Sequence, residues 1–569
     1  MKLAGDSLLS NVELLKRGDP TLGGTIAATL QDQALDRFSE DDYQFLKFHG
    51  IYQQDDRDKR KTAKQYIFMV RAKIPGGFVP AAQYLAFDEL SRQHGNDTLR
   101  ITSRQSFQWH GVVKCHLGPL MKGLNDALCT TLGACGDINR NVMAPPTPAV
   151  GPLAERVLAD ARRVSAALLP TTRAYHEIWV EGVALNLAPQ PEETEADPLY
   201  GRQYLPRKFK VAFAIPPLND TDVFTNCLGF VAVADPQDPS ALLGYNLLAG
   251  GGQGMSHGNA ETFPRVADVI GYVPAARVVD VARAVVTTYR DSGDRANRRH
   301  ARLKYVLAER GADWFRGEVE QRAGLTLEAP RPFTFARQGD LFGWHRQHDG
   351  RWFLGLYVET GRIGDQGSRR LKSALRQVVA QYQPEIRLTP SQNLLLANVA
   401  EADRDAINRV LAAHGVPVDR QTAAVRRLSM ACPALPTCGL ALAESERVLP
   451  GILDRLEALL AELGLADEEI VVRMTGCPNG CARPFMAEIG FVGRAPGKYN
   501  LYLGGDLAGT RLNREYRASV KIEDLTKELR PVLTRWRDER RGAERLGDFA
   551  ARVLWPEQTP AATTAAAAP

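Results

Sequence analysis

Four of the eight cysteines fall within 50 residues, as MACPALPTCGLA around Cys432 and Cys438 and TGCPNGCARP around Cys477 and Cys481. The spacing is C-x5-C, then 38 residues, then C-x3-C. Four soft thiolates suit one zinc ion or an iron–sulfur cluster. Zinc knuckles curl around a single ion with two to four residues between ligands, so the wide C-x5-C favours the cluster. Pro478 and Gly480 put the second pair on a tight turn, where glycine permits close backbone approach. Cysteine is among the most buried residue types, and four plain core cysteines are the competing reading. Two close pairs with Pro/Gly flanks argue against it. Cys115, Cys129, Cys135 and Cys227 are dispersed and read as ordinary core residues.

Cations recur at strand-like spacing. From 100 to 110 the even positions are Arg100, Thr102, Arg104, Ser106, Gln108 and His110. In one continuous strand all would share a face, with Leu99, Ile101, Phe107 and Trp109 largely opposite. An amphipathic edge strand alternates in the same way, but guanidinium groups in register also suit a ligand with several carboxylates, which they pair bidentately. In LPRKFKVAFAI (205–215), Lys208 and Lys210 share a face with Ala212 and Ala214. Facing solvent they would be routine. Beside a cavity they would supply positive charge and, with pKa lowered by burial, protons. Arg71 and Lys73 alternate with apolar residues in QYIFMVRAKIPGG, and Arg140 precedes a proline break in GDINRNVMAPP. The glycine-rich 247–260 fits neither a phosphate loop nor a dinucleotide fingerprint, so electrons would come from a partner protein.

These groups need a scaffold. Helical periodicity runs through 153–168, 278–290, 369–382, 403–413, 446–463 and 524–541, and strand-like runs cover 66–74, 99–112, 207–215, 228–234, 386–399, 471–475 and 487–493. The mixture predicts α+β or α/β modules. Two segments echo earlier ones in the same order: LRITSRQSFQWHGV (99–112) with IRLTPSQNLLLANV (386–399), and LGFVAVAD (228–235) with IGFVGRAP (489–496). That order predicts an internal duplication and a pseudo-twofold arrangement able to enclose a large cofactor. At 569 residues the chain exceeds one hydrophobic core. A net charge of +5 is small for this size; it does not point to nucleic acid and suits anionic ligands equally. The amino terminus has no signal-peptide core and no 18-residue apolar run occurs, so a cytoplasmic protein without membrane contact is expected. The cysteines are too few for a disulfide scaffold. The alanine-rich 557–569 reads as a disordered tail.

The strings FHGIYQQDDRDKR (48–60), LRITSRQSFQWHG (99–111), INRNV (138–142), YLPRKFK (204–210), LLAGGG (247–252) and GCPNGCARP (476–484) resemble the siroheme-dependent sulfite and nitrite reductases, and among them the haem-bearing component of NADPH-dependent sulfite reductases. The resemblance covers nearly the whole chain. It implies a three-domain α+β siroheme reductase fold with pseudo-twofold internal duplication, and ferredoxin-like halves around a central siroheme and 4Fe–4S cluster. The boundaries expected are an N-terminal, partner-facing extension to 64, a first ferredoxin-like half at 65–145, a first siroheme-binding α/β domain at 146–344, a second half at 345–420 and a cluster-binding α/β domain at 421–556. It further implies that Cys432, Cys438, Cys477 and Cys481 hold the cluster and that Cys481 bridges it to the haem iron. Arg71, Arg140, Lys208 and Lys210 match the family's anion-binding cations. Arg100, Thr102, Arg104, Gln108 and Arg207 match positions near the siroheme carboxylates. Ser103 and Gly439 depart from the family, whose members often carry asparagine and proline there. The implied reaction is six-electron reduction of sulfite to sulfide, serving sulfate assimilation and cysteine biosynthesis, with nitrite reduction to ammonia as the alternative. Lys210 favours sulfite, because nitrite-preferring members tend to carry asparagine at that position. The implied electron donor is a diflavin NADPH reductase subunit, with ferredoxin as the alternative.

Overall fold

The computed structural model describes residues 9–148, 151–171, 178–180, 183–185, 196–418 and 422–556. The tail expected at 557–569 lies outside them. Three large apolar cores organise the chain. One gathers the helices Pro152–Ala167 and Val278–Ser292 against the strands Val211–Ala214, Leu228–Ala234 and Leu242–Ala249. A second joins two five-stranded sheets and their helices, Ala81–His94 and Leu371–Tyr382. The third packs Leu449–Glu462, Leu525–Glu539 and Leu546–Leu554 on a sheet running from Ser429–Ala431 to Arg514–Lys521. The six helices expected from periodicity all form, since each has an apolar stripe to bury.

The duplication is visible in the hydrogen bonding. Val211 pairs in parallel with Leu228, and 261 positions later Val472 pairs in parallel with Ile489. The two sheets of the central core exchange strands reciprocally. Phe78–Val79 joins the second sheet opposite Ile386 and Arg387, and Arg362–Ile363 joins the first opposite Leu99 and Arg100. Two buried glutamines with positive φ, Gln105 and Gln392, repeat one contact. Gln105 pairs with the backbone of Ala144 (2.8 and 3.0 Å), and Gln392 with that of Ala431 (2.8 and 3.2 Å).

The segment 99–112 departs from the continuous strand expected of it. It is a hairpin of Leu99–Ile101 and Phe107–Val112, turned at Thr102–Ser106 by the left-handed Gln105 (φ 52°). Arg100 and Gln108 are therefore neighbours because they pair across the hairpin, and the even-numbered face does not exist as one row. The echo at 386–399 breaks in the same way, into Glu385–Leu388 and Leu394–Val399. Lys208 and Lys210 lie just before the strand Val211–Ala214, not within it. Among the described residues no helix is long and apolar enough to cross a membrane.

Candidate active site

The strand ends of the third domain converge on the cysteines. Cys432 follows Ser429–Ala431, Cys438 lies in the next loop, Cys477 follows Val472–Thr475, and Cys481 ends the turn after it. That turn is close-packed: Gly480 has φ 63°, and a Cβ there would sit 3.2 Å from Gln253 Cβ. Backbone and side-chain donors reach the sulfurs, Gly476 N–H to Cys432 Sγ at 3.3 Å and Asn479 Nδ2 to Cys477 Sγ at 3.6 Å. Burial, then the neighbouring Cys481, pushes the Cys477 thiol up to about 12 and Cys432 well above its ordinary value. Cys438 rises for the same two reasons. The four thiols thus form one electrostatic group. Among the described residues, however, no three His, Cys, Asp or Glu side chains gather around a point suited to one metal ion. Four thiols of this kind suit an iron–sulfur cluster, with metal binding replacing the protons that burial holds on Cys432, Cys438 and Cys477.

Cations face this group. Cys481 lies close enough to Arg71, Lys208 and Lys210 to act on each of them through space. Arg71, at the end of Tyr66–Arg71, donates from Nη1 to Cys135 Sγ at 3.1 Å. With its amide oxygen toward Arg71, Gln108 accepts from Arg71 Nε at 2.9 Å and Nη2 at 2.5 Å, while its nitrogen donates to His110 Nε2 at 3.1 Å. Arg140 is 7% exposed and held inside the preceding loop, donating to the carbonyls of Gly136 (2.9 Å) and Ala134 (3.4 Å). Burial, with the charges of Arg302 and Arg207, lowers Lys208 to about 7. Burial, with Lys208 and Arg104, takes Lys210 well below the usual lysine range. Both lysines lie deep in the fold yet keep part of their surface open, as side chains lining an interior cleft do.

The residues matched to the carboxylates of the haem divide. Arg100 is 1% exposed and reaches Glu446 at 2.8 Å and the Ala431 carbonyl at 2.8 Å, with its buried Nε left without a partner. Arg104 donates to Asn226 Oδ1 (2.9 Å) and the Val211 carbonyl (2.9 Å), leaving a buried Nε without a partner. Thr102 shapes the hairpin turn, its hydroxyl accepting from Arg104 N–H at 3.2 Å. Gln108 orients Arg71. Arg207 keeps 32% of its side chain open beside Asp137, 3.4 Å away.

Sequence reasoning passed over several members. Arg302 and Lys304 come from ANRRHARLKY (296–305); Arg302 acts on Lys208 through space, and Lys208 on Lys304. Burial, then Arg302 and Lys208, lowers Lys304 to about 6. The density of cations in that string was the available signal. Cys135 and Cys227, read as plain core, carry polar contacts: Arg302 Nη2 reaches Cys227 Sγ at 3.4 Å and, against burial, holds that thiol below its usual range. Nothing local in the sequence marks either cysteine.

A cluster and an anionic tetrapyrrole fit these residues. The donor set offers four thiols together with the buried or half-buried Arg71, Arg207, Arg302, Lys208 and Lys210, while Lys304 is held by the Gly254 carbonyl at 2.6 Å and that of Phe263. Buried donors without partners, Arg104 Nε, Arg302 Nε and the Gln253 amide, lie in the same elements. An enclosed positive site of this kind strengthens every contact to an anion.

Comparison with known proteins agrees with the geometry. Residues 159–327 match the family model described as nitrite and sulphite reductase 4Fe-4S domain, and residues 60–127 and 345–414 match the nitrite/sulfite reductase ferredoxin-like half domain. The first match contains Lys208 and Lys210 but none of the four clustered cysteines, which belong to the duplicated copy. A protein of Myxococcus xanthus named sulfite reductase (NADPH) hemoprotein beta-component is 47% identical over 96% of both chains. One of the same name from Acidithiobacillus ferrooxidans is 48% identical with the same coverage. The Mycobacterium tuberculosis NirA protein shares the fold, with TM-score 0.78, 24% identity, and coverage of 96% of this chain and 97% of that one.

Proposed function

Because this chain belongs to the nitrite and sulfite reductase family, we propose that it is the haem-bearing component of an NADPH-type sulfite reductase. It carries siroheme and a 4Fe–4S cluster and reduces sulfite to sulfide. Relatives of that name align over almost their whole length. The observation that carries the reading is the convergence of Arg71, Lys208 and Lys210 on the last of four grouped cysteines.

Cys432, Cys438, Cys477 and Cys481 would hold the cluster, and Cys481 would serve the haem as well. When bound, the joined pair supplies electrons singly to the bound anion, six in all. The protein residues handle charge and protons. Arg71 and Arg140 are permanent cations on rigid supports, and they hold the dianion in the low-dielectric cleft. Each departing oxygen leaves as water and needs two protons. Lys208, lowered to about 7, can lose and regain a proton near neutral pH, as such a donor must. Lys210 adds a second amine suited to sulfite. The residues near the haem carboxylates are Arg100, Arg104 and Arg207 from the matched set, with Arg302 added. The domain limits given above for the two halves and the two α/β units complete this reading, with 1–64 facing the partner.

The electron donor is a separate reductase, a diflavin NADPH protein, and the pair works in the cytoplasm in sulfate assimilation toward cysteine biosynthesis. The test is an absorption spectrum of the purified, loaded protein together with sulfide release from a chemical reductant. Siroheme bands and sulfite turnover exceeding nitrite turnover in kcat/KM are expected. Absence of the bands, or a wide preference for nitrite, contradicts the reading.

A further inference from the structure

The duplication places two residues at equivalent points and then joins them. Asp222 and Arg483 are 261 positions apart, the offset of the paired strands. Both are left-handed, at φ 46° and 53°. Each precedes a short 3-10 turn, Val223–Thr225 or Pro484–Met486, that leads into its copy of the strand. Arg483 Nε donates to Asp222 Oδ2, and Arg473 donates to the same oxygen at 2.6 Å. The rest of the Arg483 guanidinium bonds the carbonyls of Ser103 (2.7 Å) and Pro390 (2.9 Å). Ser103 and Pro390 occupy the same place in the two echoed hairpins. One guanidinium therefore lies on the pseudo-twofold relation, touching both ferredoxin-like halves at matching carbonyls and the first α/β unit at Asp222. It also lies two residues beyond Cys481, whose own carbonyl accepts from Ser103 Oγ at 2.8 Å. Both ends of the 481–483 segment are thus tied to Ser103.

We propose that the Asp222–Arg483 pair positions Cys481, fixing the 477–481 turn against the other half of the molecule, so that both are positioning residues for the proposed shared ligand. Arginine rarely adopts φ near +53°, and such a conformation persists where surrounding contacts over-determine it. Four contacts from three other segments do so here. The pair is dry, with Asp222 1% and Arg483 5% exposed, so removing one partner leaves a buried charge uncompensated. Asp222→Asn is the harsher change, because it leaves the guanidinium groups of Arg473 and Arg483 facing each other.

This inference rests on Cys481 being a cluster ligand, and the experiment separates the two. Arg483→Gln, Asp222→Asn and the exchange Asp222→Arg/Arg483→Asp are compared with wild type and Cys481→Ser. The readouts are melting temperature, iron and acid-labile sulfide per chain, the visible and electron paramagnetic spectra, and kcat and KM for sulfite with a chemical reductant. For Arg483→Gln, iron is retained, the spectra change, and kcat falls about tenfold or more with KM for sulfite within about twofold, as for a displaced rather than absent group. The exchange recovers melting temperature and spectra relative to both single variants, because pseudo-symmetry brings a guanidinium to the same carbonyls from the opposite turn. If Asp222→Asn does not fold, Arg483→Lys, which keeps the charge without the planar fork, replaces it and is expected to match Arg483→Gln. Wild-type spectra and kcat in Arg483→Gln, or an exchange no better than the single variants, overturn the proposal. Full iron content with unaltered spectra in Cys481→Ser overturns instead the assignment on which it rests, and the proposal with it.

Discussion

Lys208 and Lys210 sit two positions apart in the sequence, and burial disposes them differently. Lys208 comes to about 7, so it carries its proton below neutrality and loses it as pH rises. As proton donor it should make kcat/KM for sulfite fall as pH increases through about 7. Sulfite itself titrates near neutrality, so the discriminating measurement is the profile of Lys208→Arg. A guanidinium keeps its charge and does not donate, so that variant is expected to have a lower maximum and to lose the part of the decline due to the lysine. Burial and the neighbouring Lys208 take Lys210 well below the usual lysine range. Lys210→Asn should lower kcat/KM for sulfite about 100-fold, the usual cost of removing one group that stabilises a developing charge. Cofactor content should stay intact, measured by iron and by the visible spectrum.

At the scale of elements, the hairpins matter more than the strands they were expected to be. Gln105 and Gln392 turn them with positive φ, and each then grips the segment that enters its α/β unit. Ala431, gripped by Gln392, immediately precedes Cys432. Gln392→Leu leaves the Ala431 N–H buried without a partner, at a cost of about 1–3 kcal/mol. Gln105→Leu orphans the equivalent groups of Ala144 in the copy that has no cluster. Both variants are expected to melt lower, and only Gln392→Leu to lose iron on gel filtration; equal iron in the two would contradict the assigned role. The cysteine pairs and the echo could be read from the sequence because their information is local, in spacing and short strings. The turn at Gln105 could not, because a non-glycine residue at φ 52° is set by contacts with Ala144 and Leu388, far along the chain. The same holds for Arg100, whose partner Glu446 is 346 positions away, and for Cys135, which gains its role from Arg71. Local patterning reports which residues are polar and how they alternate. It does not report which of them will satisfy one another.

Across the whole molecule, two similar halves have diverged in what they hold. Prolines 145 and 216 and Asp220 stand in the first copy at the offsets where Cys432, Cys477 and Cys481 stand in the second. The first copy carries Lys208, Lys210 and Arg302 instead, and Cys481 of the second copy acts through space on Lys208 and Lys210. In the proposed site neither half alone supplies both thiols and cations, which would give the duplication a functional consequence beyond stability. A reductase partner completes the enzyme, so NADPH-driven turnover should require it while turnover with a small chemical reductant should not; NADPH-dependent sulfide production by the isolated chain would contradict that division. The central claim is that the four cysteines and the cations form one sulfite-reducing site with Cys481 at its junction. It is tested most directly by measuring sulfide released from sulfite by reconstituted wild-type and Cys481→Ser protein under the same chemical reductant. Steady sulfide formation by the wild type and none by the variant is predicted. Equal rates from the two, or no sulfide from wild-type protein that carries its iron and haem, would contradict it.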